Sequence, residues 1–513
     1  MSIQLQPQAE DLSPSLVAEN SLGGRPQATP EHLARRNPTD RRDISTIVPR
    51  SSAAEVAEAL STAEELGASS SQIPLGSQLR WLLELALLLE QHAEELADFG
   101  AREIGQSRLD LVAEIIGAAQ SCRWLHGAGT CGTQLPFEAQ AGHRRYGELV
   151  PVPVVVVNPA SALDPATSLL TRVTGALARG GAVVLRPPPE CAGMTRLFID
   201  LLKQTRAPVE RLVVVNGDLE TEEILVRRCL DGGLRILGRS VAPASGFLPL
   251  RPSPAVVLAD ANVSLAVPAI AEACLRGAGQ TEDACHHAIV DGRVAAVVRE
   301  ELARRFVSQE MGDPRAPATT LGPLLSEPVL HAWNELRAVG LNDGAELIVD
   351  GPRLGVALAD SEARRNLPLH ARPRLFANVT PYMALVRAVG RGPTLLLLEA
   401  DGLADAQRIT RSLGPLNHLY LFSRSAQVLA DFGASSRASA VLLNPVPNRV
   451  AAACRRAQLT TLEAWSQSAE WRVVDSNPGG HASIDTEEVP EVPCTEPEGA
   501  GRTLRWPSLQ RRE

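Results

Sequence analysis

Between residues 282 and 287 the chain reads Glu282-Asp283-Ala284-Cys285-His286-His287, bringing acids, a thiol and two imidazoles within six positions. Side chains of these types serve as nucleophiles, proton carriers or metal ligands. A metal site is the weaker reading of the group. Adjacent histidines on a strand point to opposite faces and cannot close on one ion, so no metal is expected here. Cys285 keeps the nucleophile reading open, with a buried inert thiol as its alternative. The other seven cysteines, at 122, 131, 191, 229, 274, 454 and 494, form no C-x-x-C pair, which argues against zinc or a disulfide framework. No G-x-G-x-x-G or G-x-x-x-x-G-K-[ST] loop is present, so motifs alone do not assign a phosphate cradle. The basic run Arg35, Arg36, Arg41 and Arg42 reads as solvated surface in a chain of net charge -9.

These residues need a scaffold, and the chain supplies a large one. With 513 residues, 44% hydrophobic and 21% charged, it can bury extensive cores in two or three domains. The acidic balance speaks against nucleic acid or an anionic membrane as partner. No apolar run reaches membrane-spanning length and the first ten residues lack signal-peptide features, which predicts a cytoplasmic protein. Residues 1–30 read as a flexible arm. Ser51 and Ser52 can cap a helix from Ala53 to Leu66, and a leucine stripe predicts a second over 78–99. From about residue 150, short β-branched runs such as Val152–Val157 and Ala182–Leu185 alternate with helical stretches. That alternation continues to about 443 and predicts an α/β protein with parallel sheets in two tandem domains, hinged near Ser245-Gly246. Residues 476–513 are rich in Pro, Glu, Gly and Ser and read as a disordered acidic tail.

Several landmarks lie collinearly between about residues 35 and 475. They are Asn37-Pro38-Thr39, Arg102-Glu103-Ile104-Gly105-Gln106, Val183-Val184-Leu185-Arg186-Pro187, Gly312-Asp313-Pro314, Leu321-Gly322-Pro323-Leu324-Leu325, Gly392-Pro393 and Leu443-Asn444. Together they resemble the aldehyde dehydrogenase superfamily. The resemblance implies a Rossmann-like cofactor domain over 31–245, a catalytic-type α/β domain over 246–443, and a small oligomerising β-extension. The extension would be a hairpin at about 130–150 joined by 444–475, with Trp471 to Val474 as an edge strand. It implies NAD or NADP as cofactor, and a homo-oligomer or a hetero-oligomer with another subunit of this family.

The same resemblance exposes departures. The family's G-Q-x-C nucleophile loop is matched by Gly279-Gln280-Thr281-Glu282, so Glu282 stands at the nucleophile position. Leu248 takes the place of the general-base glutamate, Leu163 that of the oxyanion asparagine, and Val389 that of the nicotinamide-ribose glutamate. Ser161 is the nearest substitute oxyanion donor, and Cys285 a substitute nucleophile only if the loop shifts by three residues. For the cofactor, Arg186 and Pro187 resemble the adenosine-ribose contact and Gly238-Arg239-Ser240 the turn beside the pyrophosphate, where backbone amides attract anions. The leading expectation is a catalytically inactive family member acting as a structural, scaffolding or regulatory subunit. Two alternatives stand beside it: an NAD(P)-dependent oxidoreductase using Cys285, and a nucleotide-binding sensor.

Overall fold

The computed structural model describes residues 16–69, 76–128, 134–140, 143–159, 161–238, 251–351 and 369–476. Ser240, Leu248, the proposed hinge and the acidic tail lie outside them.

Two sheets carry the fold. The first runs edge to edge through Arg235–Leu237, Val154–Val157, Ala182–Leu185, Leu212–Val214, Asn20–Leu22 and Arg25–Gln27. Its first four strands are parallel and its last two antiparallel. Successive side chains of a strand face opposite ways, so Val155 and Val157 enter one core while Val154 and Val156 enter another. Helix Ala53–Ala68 covers the second of these faces. Its start is fixed by a capping box in which Ser52 accepts from the Glu55 N–H and the Glu55 carboxylate accepts from the Ser52 N–H. Such a cap contributes about 1 kcal/mol.

The second sheet has the order Glu346–Asp350, Arg374–Ala377, Thr394–Ala400, His287–Asp291, Ala255–Val257, Leu416–Phe422, Ala438–Leu443. All neighbours are parallel except the first pair. Strand Ala255–Val257 is buried throughout, with Val256 facing one apolar cluster and Ala255 and Val257 the other. Burial on both faces is what a parallel sheet requires. A third, antiparallel sheet joins Ala469–Ser476, His143–Pro151 and Gln134–Gln140, with Ala469–Ser476 at its edge.

Three expectations are corrected. Residues 16–27 are not a flexible arm: Leu16–Val17 pairs with Ile44–Pro49, and Asn20–Leu22 extends the first sheet. The helix expected over 78–99 is two, Trp81–Gln91 and Ala93–Ile104, broken at His92, whose φ of -103° and ψ of 12° leave the helical region. The break lets Leu96, Ala97, Ala101 and Ile104 enter the core beside Leu82 and Leu85. Residues 444–475 are mainly helix, Arg449–Gln467, and strand only from Ala469. That helix lies against Arg108–Ala128, where the Ser121 hydroxyl reaches the Ala457 carbonyl at 3.2 Å and the Thr461 hydroxyl at 2.6 Å.

Candidate functional site

Three sequence landmarks meet at the turn that leads to position 282. Gly277, Ala278 and Gly279 all have φ between 54° and 69°, the left-handed region in which glycine is unstrained. A Cβ on Gly279 would stand 2.3 Å from the Gly392 carbonyl oxygen, so only glycine fits. Gln280 donates to the Gly277 carbonyl at 3.0 Å and accepts from the Leu325 N–H at 2.9 Å, tying the turn to Leu321-Gly322-Pro323-Leu324-Leu325. Gly322 in turn packs so closely on Gly105 that a Cβ would lie 2.1 Å from the Gly105 carbonyl oxygen.

The turn delivers Glu282 to a cleft of about 620 Å³ lined by Leu163, Ser168, Arg172, Arg251 and Arg456, among others. The Glu282 backbone carbonyl accepts from Asn417 Nδ2 at 2.8 Å, which fixes the loop. Its carboxylate lies 3.8 Å from Arg172 Nη2, and Oε1 has no hydrogen-bond partner among the described residues.

Cys285 does not reach this cleft. Its backbone N–H donates to the Ala273 carbonyl at 3.1 Å, its Sγ donates to the His287 carbonyl, and the sulfur is fully buried among Ala255, Val257 and Cys274. Burial pushes the thiol up to about 12, where almost none is thiolate at neutral pH. Two of the oxyanion positions are also spoken for. Leu163 presents an apolar chain to the cleft, and Ser161 Oγ accepts from the Leu163 N–H at 3.1 Å within its own turn. His286 Nδ1 and His287 Nε2 pair with the carbonyls of Thr394 and Val386 at 2.9 and 3.0 Å. Both imidazoles therefore hold the loop in place.

Beneath the cleft lies a charged cluster that inspection of the sequence did not single out. Arg276, 5% exposed, binds Asp164 and Asp283 and donates to Thr281 Oγ1 at 3.1 Å. Gln106 Nε2 adds a 2.9 Å bond to Asp164, whose φ of 57° is left-handed. Burial opposes the charge on Asp283, but Arg276, with Arg456 behind it, holds its carboxyl well below the usual range. In Glu114 burial prevails, helped by the charge of Asp164, and the carboxyl is raised well above its ordinary value. The one signal for this cluster was local: an arginine directly before the left-handed Gly277 and an aspartate directly after Glu282.

A second cleft, about 580 Å³, lies beside His286, His287, Val389 and Arg391, and Arg251 borders both. Val389 brings no hydrogen-bonding group to it. At the carboxyl ends of the first sheet, Arg186 Nη1 pairs with Glu222 at 3.1 Å and Nη2 donates to the Asp218 carbonyl at 3.1 Å. Asn158 Nδ2 donates to the same Glu222 at 3.1 Å. Pro187 is buried beside Arg186. Gly238 follows its strand with φ 93°, and a Cβ there would be 2.6 Å from the Asn158 carbonyl oxygen. The N-terminus of helix Leu219–Asp231 is capped by Asp218, which accepts from Glu220 and Thr221 N–H groups and pairs with Arg50 Nε at 2.8 Å.

The arginine expected to contact NAD or NADP is engaged within the protein in this arrangement. The guanidinium expected to meet a ribose is engaged by Glu222, and the turn expected beside the pyrophosphate continues from Gly238 into residues outside the described ones.

Burial lowers His287 to about 4, with repulsion from His286 adding to the effect. The neutral form is favoured in the fold, while the unfolded chain binds a proton near pH 6.5. His287 therefore contributes stability fully above pH 6.5 and loses it as the pH falls towards 4. Glu103, raised by burial to about 7, works in the opposite sense, so the comparison must be made against a single variant. His287→Gln should reduce the stability lost between pH 6.5 and 4 by on the order of 2–3 kcal/mol, read from urea midpoints at the two pH values. Equal losses in parent and variant would refute this assignment.

Two α/β units with parallel sheets, a glycine turn carrying the residue between them and an antiparallel extension define a dehydrogenase-type architecture. The aldehyde dehydrogenase family profile matches residues 25–229 and 252–454, more than half of the chain, and the chain belongs to that family. The α-ketoglutaric semialdehyde dehydrogenase of Bacillus subtilis (strain 168) is 23% identical over 403 residues, covering 74% of this chain and 79% of that one. Malonate-semialdehyde dehydrogenase 1 of Geobacillus kaustophilus is 24% identical over 447 residues, covering 83% and 89%. Among solved structures, an NAD-dependent aldehyde dehydrogenase from Sinorhizobium meliloti superposes with a TM-score of 0.77 at 19% identity, covering 93% of this chain and 98% of that chain. A putative methylmalonate-semialdehyde dehydrogenase from Sinorhizobium meliloti 1021, complexed with NAD, gives 0.75 at 19% identity, covering 91% and 99%. No helix among the described residues is long and apolar enough to cross a membrane.

Proposed function

We propose that this chain is a non-catalytic member of the aldehyde dehydrogenase family, acting as a structural or regulatory subunit of an oligomer. The observation that carries the reading is the exchange of roles around residue 282. A carboxylate occupies the cleft, and the nearest thiol in sequence, Cys285, is sealed in the core behind it. A carboxylate attacking an aldehyde forms no stable thiohemiacetal equivalent, and Leu163 offers no donor for an oxyanion. The relatives named above are dehydrogenases, so the proposal is about what this chain has lost.

The edge strand Ala469–Ser476 supports assembly, since its outer backbone groups can pair with another chain. A homo-oligomer or a hetero-oligomer with an active relative uses the same edge. The nucleotide-sensor reading retains one observation in its favour, the Gly238 turn, and would require NAD to displace the Arg186–Glu222 pair.

Full-length protein mixed with NAD or NADP and a panel of semialdehydes and aromatic aldehydes should form no NAD(P)H above the rate without protein. Mass photometry of the same preparation should show a dimer or larger assembly. Nicotinamide reduction that disappears in Cys285→Ala would sink the proposal and restore the oxidoreductase reading.

A further inference from the structure

The cleft at Glu282 is not inert in its chemistry. Apart from Asp164 and Asp283, which share Arg276, its lining carries the guanidiniums of Arg172, Arg251 and Arg456 and the carboxylates of Glu282 and Glu463. Both signs are therefore presented to one space. The contacts between them are long. Arg172 Nη2 stands 3.4 Å from Glu463 and 3.8 Å from Glu282, and Arg456 Nη1 stands 3.8 Å from Asp283. Good charge-assisted hydrogen bonds are about 2.7–2.9 Å. Arg172, 5% exposed, donates through Nη1 to the Ser168 carbonyl at 2.6 Å, yet its Nε has no partner among the described residues, and neither have Glu282 Oε1, Arg456 Nε and His418 Nδ1. Polar atoms left so in a buried setting are costly. A molecule that brings a donor to Glu282 and an acceptor to Arg172 would replace these long contacts with short ones.

The spacing narrows the class of molecule. An anion and a cation held 3.8 Å apart match the adjacent ammonium and carboxylate of one α-amino acid head group, each set against its opposite. Leu163, Leu459 and Leu462 supply apolar surface in the same cleft. We propose that the cleft binds a free α-amino acid with an apolar side chain, its ammonium on Glu282 and its carboxylate between Arg172 and Arg456. A turn of the Glu282 carboxylate brings Oε1 to the ligand. The proposal rests on the non-catalytic reading, in which Glu282 is a binding group, and names the ligand class that such a subunit would sense.

Isothermal calorimetry on the full-length protein tests it with L-leucine, with 4-methylpentanoate, which lacks the ammonium, and with 3-methylbutylamine, which lacks the carboxylate. Leucine should give saturable heat, and each truncated probe should bind at least about tenfold more weakly. Glu282→Gln should weaken leucine by a similar factor and leave 4-methylpentanoate bound no more weakly than before. Absence of saturable heat with leucine would overturn the proposal, as would 4-methylpentanoate binding equally well, which would mark a simple anion site. The comparison of probes on the parent protein needs no variant to fold. Failure here is also distinct from failure of the non-catalytic reading, which appears as nicotinamide reduction and not as missing heat.

Discussion

Arg276→Met should lower the free energy of unfolding by about 3–5 kcal/mol, the cost of leaving buried charges without their partner. Asp164 and Asp283 both depend on this guanidinium, and neither is exposed enough for water to replace it. The shift of the urea midpoint reads the effect directly. The triple variant Arg276→Met, Asp164→Asn, Asp283→Asn should recover most of the loss, because the two buried carboxylates that lost their cation are gone. A single variant within 1 kcal/mol of the parent would show that the cluster is not holding the loop.

The second large effect concerns chemistry. Glu282→Cys places a thiol in the cleft at the position the family uses for its nucleophile, and iodoacetamide should label it stoichiometrically while Cys285 stays unmodified. Dehydrogenase activity should nonetheless remain absent with NAD and any semialdehyde. A missing oxyanion donor alone costs about 100- to 1000-fold in rate. On the proposed reading Leu163 stands for the donor and Leu248 for the base, and Arg186 is paired with Glu222. Measurable turnover in this one variant would mean that the surrounding site is intact and that the proposed loss of activity resides in a single residue.

Much of this architecture was legible in the sequence, and for a physical reason. Strands such as Val154–Val157 and Ala182–Leu185 are buried on both faces, so they stand out as unbroken apolar runs between helices. The glycine turn at 279 was legible because close approach to Gly392 excludes any other residue. Helix Arg108–Ala128 was not: it is buried on most sides, by Leu111, Ile115, Ala118 and Leu125 among others, and shows no polar face to give it a stripe. Strand Asn20–Leu22 has three residues and exists through pairing with Leu212–Val214, which no local pattern reveals. The Arg276 cluster joins residues as far apart as 164 and 276, and such a partnership is written only in three dimensions. Glu282 itself was visible as a departure from a motif. Its company, Arg172 and Arg456, was not.

The antiparallel pair Asn20–Leu22 and Arg25–Gln27 also bears on how the chain can be handled. It closes a flank of the first sheet, with Asn20 bonded to Thr29, Ser51 and Asn216. The segment is a fastener and not an appendage. A chain trimmed to begin at residue 31 would leave Leu212–Val214 with a bare backbone rim, and bare rims of that kind invite aggregation between copies.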